Sequence, residues 1–301
     1  MNSVANSPAI FETNIENLEL IARGKVRDIY RIDDDHMLIV TTDRLSAFDV
    51  VFPQPIPDKG VLLTRISNFW FDLSSDLVVN HLTNLKLQDY VSEQDFIDLA
   101  PRSIIVRKLK TLPVEAIVRG YVIGSGWKDY QANGQICGIE LPEGLEQAQQ
   151  LAEPVFTPST KAEVGDHDIN VSFEHTARLI GEERARQIRE VSIQLYKMAA
   201  EYAQRRGIII ADTKFEFGLD KNDQLVLIDE ILTPDSSRYW PADQYRVGTS
   251  PPSYDKQFIR DYLETLSWDK TPPAPHIPQD LIDRTRDKYQ QVHDILTDNS
   301  G

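Results

Sequence analysis

The chain has 301 residues, with 32 Lys and Arg against 47 Asp and Glu; the formal charge of −15 excludes broad electrostatic binding to nucleic acid or an anionic membrane and leaves room only for a local cationic pocket. A 41% hydrophobic and 26% charged composition is that of an ordinary soluble globular protein, long enough to bury its core without a disulfide or metal staple. Cys137 is the single cysteine, which excludes an intramolecular disulfide and a multi-cysteine zinc site; with no apolar run near ~20 residues and no signal-peptide start, the expected location is the cytoplasm.

Strand-like residues come first. Residues 26–32 and 37–42 flank the acidic turn of Asp33, Asp34, Asp35 and His36 and predict a β-hairpin. The apolar period then changes: Leu62, Leu63, Ile66, Phe69, Trp70 and Leu73 recur at three and four, the spacing of a helix burying one stripe. Strands are predicted over 103–108 and 114–119, joined through Lys110, Thr111, Leu112 and Pro113, and these opening elements read as one antiparallel sheet. Residues 140–170 hold prolines and glycines without a sustained period and read as a long loop, of the kind that often carries function. Helix is predicted over 172–206, with Gly181 as a break and Gly207 as a C-terminal stop. A second hairpin follows, 208–217 and 225–231, around Asp220, Lys221, Asn222 and Asp223. Helices at 253–266 and 279–296, separated by a proline-rich linker over 271–278, close the chain, which has no internal repeat.

Several segments carry candidate chemistry. Gly24, Lys25, Val26 and Arg27 stand at a strand entrance, where the glycine lets backbone approach a ligand and the two cations suit phosphate oxygens. The segment lacks the spacing of a Walker loop or a dinucleotide fingerprint, and an ordinary turn fits it as well. In the second hairpin, alternation puts Lys214 and Glu216 on one face and Phe215 and Phe217 on the other, the apolar face inward. With Asn222 and Asp223 as a two-residue turn, Glu216 falls opposite Asp229, and any even-length loop keeps both carboxylates on one face. Such a pair is what Mg²⁺ bound to ATP uses, with water and phosphate oxygens completing the shell; a solvated face with a cross-strand Lys214 ion pair is the alternative.

Residues 41–49, with Asp43, Arg44, Ser46 and Asp49, mix carboxylate, guanidinium and hydroxyl, and read either as a binding loop or as an Asx-type turn with a surface ion pair. Arg119 through Gly126 joins a guanidinium, the Ser125 hydroxyl and flexible backbone, which suits a phosphomonoester, and Arg238 supplies a second anion clamp. Lys161 is a cation in a loop over 157–168 rich in hydroxyls and acids, where a solvent-exposed lysine is the other reading. The histidines form no HExxH, His167 between Asp166 and Asp168 belongs to a polar turn, and Cys137 has no local base, so a zinc hydrolase and thiol chemistry are both set aside.

These residues resemble the SAICAR synthetases, the phosphoribosylaminoimidazole-succinocarboxamide synthase family of de novo purine synthesis. The resemblance runs through residues 24–30 (GKVRDIY), 42–49 (TDRLSAFD), 114–121 (VEAIVRGY), 124–127 (GSGW), 156–161 (FTPSTK), 212–218 (DTKFEFG) and 229–238 (DEILTPDSSR), and the length is that of the longer form of the family. It implies an α+β fold, with an antiparallel-sheet N-terminal lobe over 1–112 that binds nucleotide. A larger α+β C-terminal lobe over 113–301 binds substrate and metal, with a kinase-like ATP cleft between the lobes. It implies ATP-dependent ligation of L-aspartate to the carboxylate of CAIR, the 4-carboxylate of aminoimidazole ribotide, giving SAICAR, ADP and phosphate through an acyl phosphate.

The implied roles follow the motifs. Gly24, Lys25, Val26 and Arg27 lie over the ATP phosphates, Glu216 and Asp229 hold Mg²⁺, and the adenine lies against Lys108, Lys110 and Leu112. Arg119, Ser125 and Arg238 hold the CAIR ribose phosphate, and Asp212 and Lys214 are the catalytic pair near the reacting groups. Asp43, Arg44, Ser46 and Asp49 line the CAIR and aspartate side together with Lys161. The partners are then small molecules, not nucleic acid or membrane, and the protein is a monomer or small homo-oligomer. A small-molecule kinase would share the ATP site without needing aspartate, and the clamp for a phosphorylated co-substrate argues against it. A non-catalytic nucleotide-binding regulator would have no use for Lys214, Glu216 and Asp229 together.

Overall fold

The computed structural model describes residues 9–161 and 169–298; His167 and the rest of 162–168 lie outside them. The chain opens with β1 (Glu19–Arg23), β2 (Arg27–Arg31) and β3 (His36–Thr41), and the predicted hairpin is β2 with β3, Asp28 facing Val40 and Tyr30 facing Leu38. β1 was not predicted because all five of its residues are exposed, so no alternation marks it. β4 (Ser46–Ala47) and β5 (Val50–Val51) form a minimal hairpin. The three-and-four spacing becomes α1 (Lys59–Leu73), whose Leu62, Leu63, Ile66 and Trp70 are buried. Gly60 in its first turn is pressed against the Thr41 carbonyl, where any Cβ would collide, and its N–H is capped by Asp43 Oδ1 at 2.8 Å. α2 (Glu93–Leu99), too short to show a period, is capped by Ser92, and β6 (Ser103–Arg107) completes an antiparallel sheet of order β1-β2-β3-β6 over a core of Ile15, Tyr30, Leu38, Val40, Leu99 and Ile105.

The strand over 114–119 belongs elsewhere. β7 (Lys110–Thr111) and β8 (Val114–Tyr121) join a second sheet, because β7 pairs with the end of a later strand and carries the chain out of the first sheet. An apolar alternation identifies a strand but not its neighbour. After β8 come α3 (Gly124–Asn133), the hairpin of β9 (Gln135–Ile136) and β10 (Ile139–Glu140), then β11 (Gln150–Phe156), β12 (Ser159–Thr160) and β13 (Ile169–Asn170). Half of the described residues in the expected loop over 140–170 are therefore strand. The segment escaped the period because its strands are short, and β11 carries Pro154 and a break in register between Gln150 and Val155. Gly181, at φ 88°, separates α4 (Phe173–Ile180) from α5 (Glu182–Gln204) as expected, and α5 lays its buried stripe of Ala185, Ile188, Leu195, Ala199 and Ala203 across β8 and β11. β14 (Ile208–Leu219), β15 (Leu225–Ile228) and β16 (Ser237–Pro241) finish an eight-stranded antiparallel sheet with β14 near its centre.

α6 (Gln257–Glu264) and α7 (Gln279–Thr297) end the described chain. α6 starts later than expected because Asp255 Oδ1 accepts the Gln257 N–H at 2.7 Å and turns the chain there. The two helices bury Ile259, Leu263, Ile277 and Ile282 against Leu45, Phe52 and Ile56. The chain folds as two compact units, one of the residues up to Phe69 with His81–Lys108 and the chain from Tyr254, the other of Trp70–Asn80 with Leu109–Ser253. Among the described residues, helices beside antiparallel sheets with no closed barrel make the class α+β, as expected. Among the described residues no helix is long and apolar enough to cross a membrane.

Candidate active site

In the second unit, β14 runs between β8 and β16, and the register sets Asp212 opposite Arg119 on one side and opposite Arg238 on the other. Arg119 donates from NH1 to Asp212 Oδ2 at 2.7 Å, from Nε to Thr157 Oγ1 at 3.0 Å and from NH2 to Ser125 Oγ at 3.0 Å; Arg238 donates to the same Asp212 oxygen. Arg119 and Asp212 are buried. Burial pulls the Arg119 guanidinium below its ordinary value, Asp212 pulls it back up and Arg238 adds to the lowering. Two guanidinium charges against one carboxylate leave the cluster at +1. Gly124, at φ 61°, opens α3 directly against the Arg238 guanidinium, where a Cβ would collide, and no side chain caps this helix. A helix start without a side-chain cap, beside two arginines, is an arrangement that can take an anion. The expected flexible backbone at 124–126 is thus the first turn of a helix. A cavity of about 560 Å³ opens beside Ser125 along the α3 face that carries Asp129 and Asn133.

Two residues along β14 from Asp212, on the same face, stands Lys214, and two further stands Glu216; Phe215 and Phe217 are buried on the opposite face, as alternation predicts. Lys214 Nζ donates to Glu115 Oε1 at 2.7 Å and Glu216 Oε1 at 3.3 Å, and Lys161 Nζ donates to Glu216 Oε2 at 2.5 Å. The expected register does not hold. The hairpin closes at Leu219 with Leu225 around five residues, Asp220 to Gln224, so Glu216 faces Ile228 and not Asp229. Asp229 nevertheless belongs to this group: it leaves β15 with φ 68°, where alternation no longer governs its side chain, and its charge acts on Lys214. Burial lowers the Lys214 pKa, yet Glu216, Glu115 and Asp229 outweigh it and hold the ammonium well above its ordinary value.

Glu115 was not singled out from the sequence. It is buried on β8 and accepts Ser159 Oγ at 2.8 Å besides Lys214. The signal was its parity with Arg119, a charged residue at the same face of an otherwise apolar strand. Among the described residues no group of three or more His, Cys, Asp and Glu is arranged to hold a metal ion by itself. Cys137 is half-buried, with burial pushing its thiol up to about 11, as suits a structural residue.

The first unit holds the other candidates. Gly24 N–H bonds the Arg27 carbonyl at 2.8 Å, so Lys25 and Val26 form the tip of the β1 to β2 turn, with Lys25 exposed and ion-paired to Asp49. Asp49 and Phe48, at φ 63° and 50°, form the two-residue turn between β4 and β5. Arg27 is half-buried at the start of β2, and Lys108 is exposed beyond β6. Asp43 and Arg44 are used differently from the ligand contacts expected of them. Both are buried: Asp43 accepts the N–H groups of Ile10 at 2.7 Å and Gly60 at 2.8 Å and pairs with Arg102, while the Arg44 guanidinium is turned onto backbone. Ser46 is also buried, its carbonyl taken by Lys256 Nζ at 3.0 Å. In the second unit, Lys110 is exposed on β7, and buried Leu112 donates its N–H to the Phe217 carbonyl at 2.9 Å.

With this geometry in view, comparison with known proteins is specific. The SAICAR synthetase family model matches residues 20–275. The chain is 58% identical over 289 residues to the phosphoribosylaminoimidazole-succinocarboxamide synthase of Methylobacillus flagellatus, covering 96% of this chain and 97% of that one. It is 58% identical over 290 residues to the protein of the same name from Nitrosomonas europaea, covering 96% and 98%. Among solved structures, the SAICAR synthase from Saccharomyces cerevisiae complexed with SAICAR superposes with a TM-score of 0.87 at 45% identity, over 96% of this chain and 98% of that one. A type-2 SAICAR synthetase in complex with ADP gives 0.68 at 26% identity, over 92% and 97%.

Proposed function

The chain belongs to the SAICAR synthetase family, and on that premise we propose how its residues divide the ligation of L-aspartate to the carboxylate of CAIR, with ATP giving ADP and phosphate. The observation that carries this reading is one face of β14: Asp212 between two arginines, then Lys214, then Glu216, in two-residue steps that span about 13 Å. One end suits a phosphomonoester and the other a metal-bound triphosphate.

The CAIR ribose phosphate is assigned to Arg119, Arg238, Ser125 and the first turn of α3, whose surplus positive charge matches a dianion. The ATP phosphates are assigned to the Gly24 to Arg27 turn, with Lys25 exchanging Asp49 for phosphate, and the adenine to Lys108, Lys110 and Leu112. In this reading residues 1–112 carry the ATP contacts together with Asp49 on the aspartate side, and 113–301 carry the CAIR and metal contacts. Mg²⁺ is assigned to Glu216 and Asp229, where three carboxylates meet two lysines; both Glu216 oxygens accept from Lys214 and Lys161, and the metal would take the place of those ammonium contacts. When bound, it neutralises phosphate charge. Asp49 and Lys161 are assigned to the aspartate, and the buried Asp43 and Ser46 hold the loop that carries Asp49. A cytoplasmic setting, in keeping with the lone Cys137, is part of this reading.

A carboxylate resists nucleophiles because its charge repels them. A CAIR carboxylate oxygen therefore attacks the γ-phosphorus, the bond to the bridging oxygen breaks and ADP leaves. The aspartate amine then adds to the acyl phosphate carbon, phosphate departs with that oxygen, and the amine proton goes to solvent. Lys214, held protonated, balances charge on the transferring phosphoryl group, and Asp212 aims Arg119 and Arg238. Both steps need alignment and charge neutralisation rather than a protein nucleophile. The test is ADP release with each substrate omitted in turn. Dependence on both CAIR and aspartate is expected, and full-rate ADP release without aspartate would mark a kinase.

A further inference from the structure

We propose that Arg44 is a positioning residue for the ATP-phosphate turn, fixing the backbone from which Lys25 projects. Arg44 is 2% exposed, and each of its guanidinium nitrogens is engaged: Nε donates to the Lys25 carbonyl at 3.0 Å, NH2 to the Gly24 carbonyl at 2.9 Å and to Asp28 Oδ1 at 2.8 Å, and NH1 to the Phe11 carbonyl at 2.6 Å. Two successive carbonyls of one tight turn are thus gripped by one planar fork, a geometry that an ammonium cannot copy. The turn itself is closed by one backbone hydrogen bond, from Gly24 N–H to the Arg27 carbonyl.

The fork is in turn held from behind. Asp28, fully buried, accepts Arg44, Arg23 Nε at 3.2 Å, and both the N–H and the hydroxyl of Thr13 at 2.8 Å. Thr13 and Phe11 precede residue 20, where the family match begins, so residues outside the matched span brace the turn. Lys25 remains exposed, free to exchange Asp49 for phosphate while its backbone stays in place. A guanidinium buried on backbone carbonyls does not reach a substrate; it acts on catalysis through Lys25.

This inference rests on the assignment of Lys25 to ATP, so the experiment separates the two. In the full-length enzyme, Arg44→Ala and Arg44→Lys are expected to raise the ATP KM about tenfold, with the CAIR and aspartate KM values within about twofold of the parent, and guanidinium ion is expected to restore part of the ATP KM of Arg44→Ala. Thr13→Val, which removes one brace from Asp28 at constant shape, is expected to give a smaller rise of the same kind and serves if the Arg44 variants do not fold. An unchanged ATP KM in a folded variant, or a uniform rise in all three KM values without guanidinium rescue, overturns the proposal. Lys25→Ala with an unchanged ATP KM overturns the assignment beneath it.

Discussion

Lys214 donates to Glu115 at 2.7 Å, closer than its 3.3 Å approach to Glu216, its neighbour on the same strand. Glu115 and Glu216 both act on Lys214, and both Glu216 oxygens are engaged by lysines, so a metal taken by Glu216 would have to displace Lys214 and Lys161. Glu115→Gln should shift Lys214 toward Glu216 and raise the Mg²⁺ concentration needed for half-maximal activity about tenfold. Magnesium titration of the variant checks this; an unchanged requirement counts against the arrangement.

Asp229→Ala should lower turnover on the order of 100-fold while the protein stays folded, since a metal held by a carboxylate pair loses half its protein ligands. Circular dichroism and steady-state rates together decide it, and near-normal activity would remove Asp229 from the metal site.

Arg119→Lys should weaken CAIR binding more than ATP binding. A lysine cannot bridge Asp212, Ser125 and Thr157 at once, so the variant should also lose about 2 kcal/mol or more of stability. A loss confined to the ATP KM would move Arg119 to the nucleotide.

Acid stability should depend on Asp28. Burial raises this carboxyl, but hydrogen bonds from Arg44 and Thr13 outweigh it, so the folded pKa lies below the ordinary value. A depressed carboxylate contributes stability that is present above the unfolded pKa, about 3.9, and lost as pH falls from there through the folded value. Asp28→Asn should be less stable by about 2 kcal/mol at neutral pH, and the gap should narrow below about pH 4. Urea unfolding across that range measures it; a gap that widens in acid contradicts the sign.

The acyl phosphate is open to an isotope test. CAIR labelled with heavy oxygen in its carboxylate should yield phosphate carrying one labelled oxygen per turnover, read by mass spectrometry. Unlabelled phosphate from active enzyme, without exchange between CAIR and water, would exclude that route.

What the sequence made legible was local. Alternation alone placed Lys214 and Glu216 on one face, and Gly181 marked the break between α4 and α5. The Glu216 register was missed because it depends on whether the turn after Leu219 has an even or odd count, and side-chain chemistry at Asn222 and Asp223 does not decide that. Glu115 was missed for a different reason: its partner Lys214 lies 99 residues away, and nothing in either strand names the other as its neighbour. Arg44 looked like a ligand contact because charged residues after a strand often are; its burial on the Phe11, Gly24 and Lys25 carbonyls and on Asp28 shows where its guanidinium is used.

β14, 12 residues long, pairs with β7, β8, β15 and β16, and the pair Arg119 and Asp212 closes a separation of 93 residues. Such distant pairings carry the loop-closure entropy that slows folding, whereas α4 and α5 form from near neighbours. During synthesis no fragment ending before Arg238 holds both halves of the anion clamp. Recovery of activity after dilution from denaturant should therefore trail the return of helical signal, and the lag times the docking of β14 between β8 and β16.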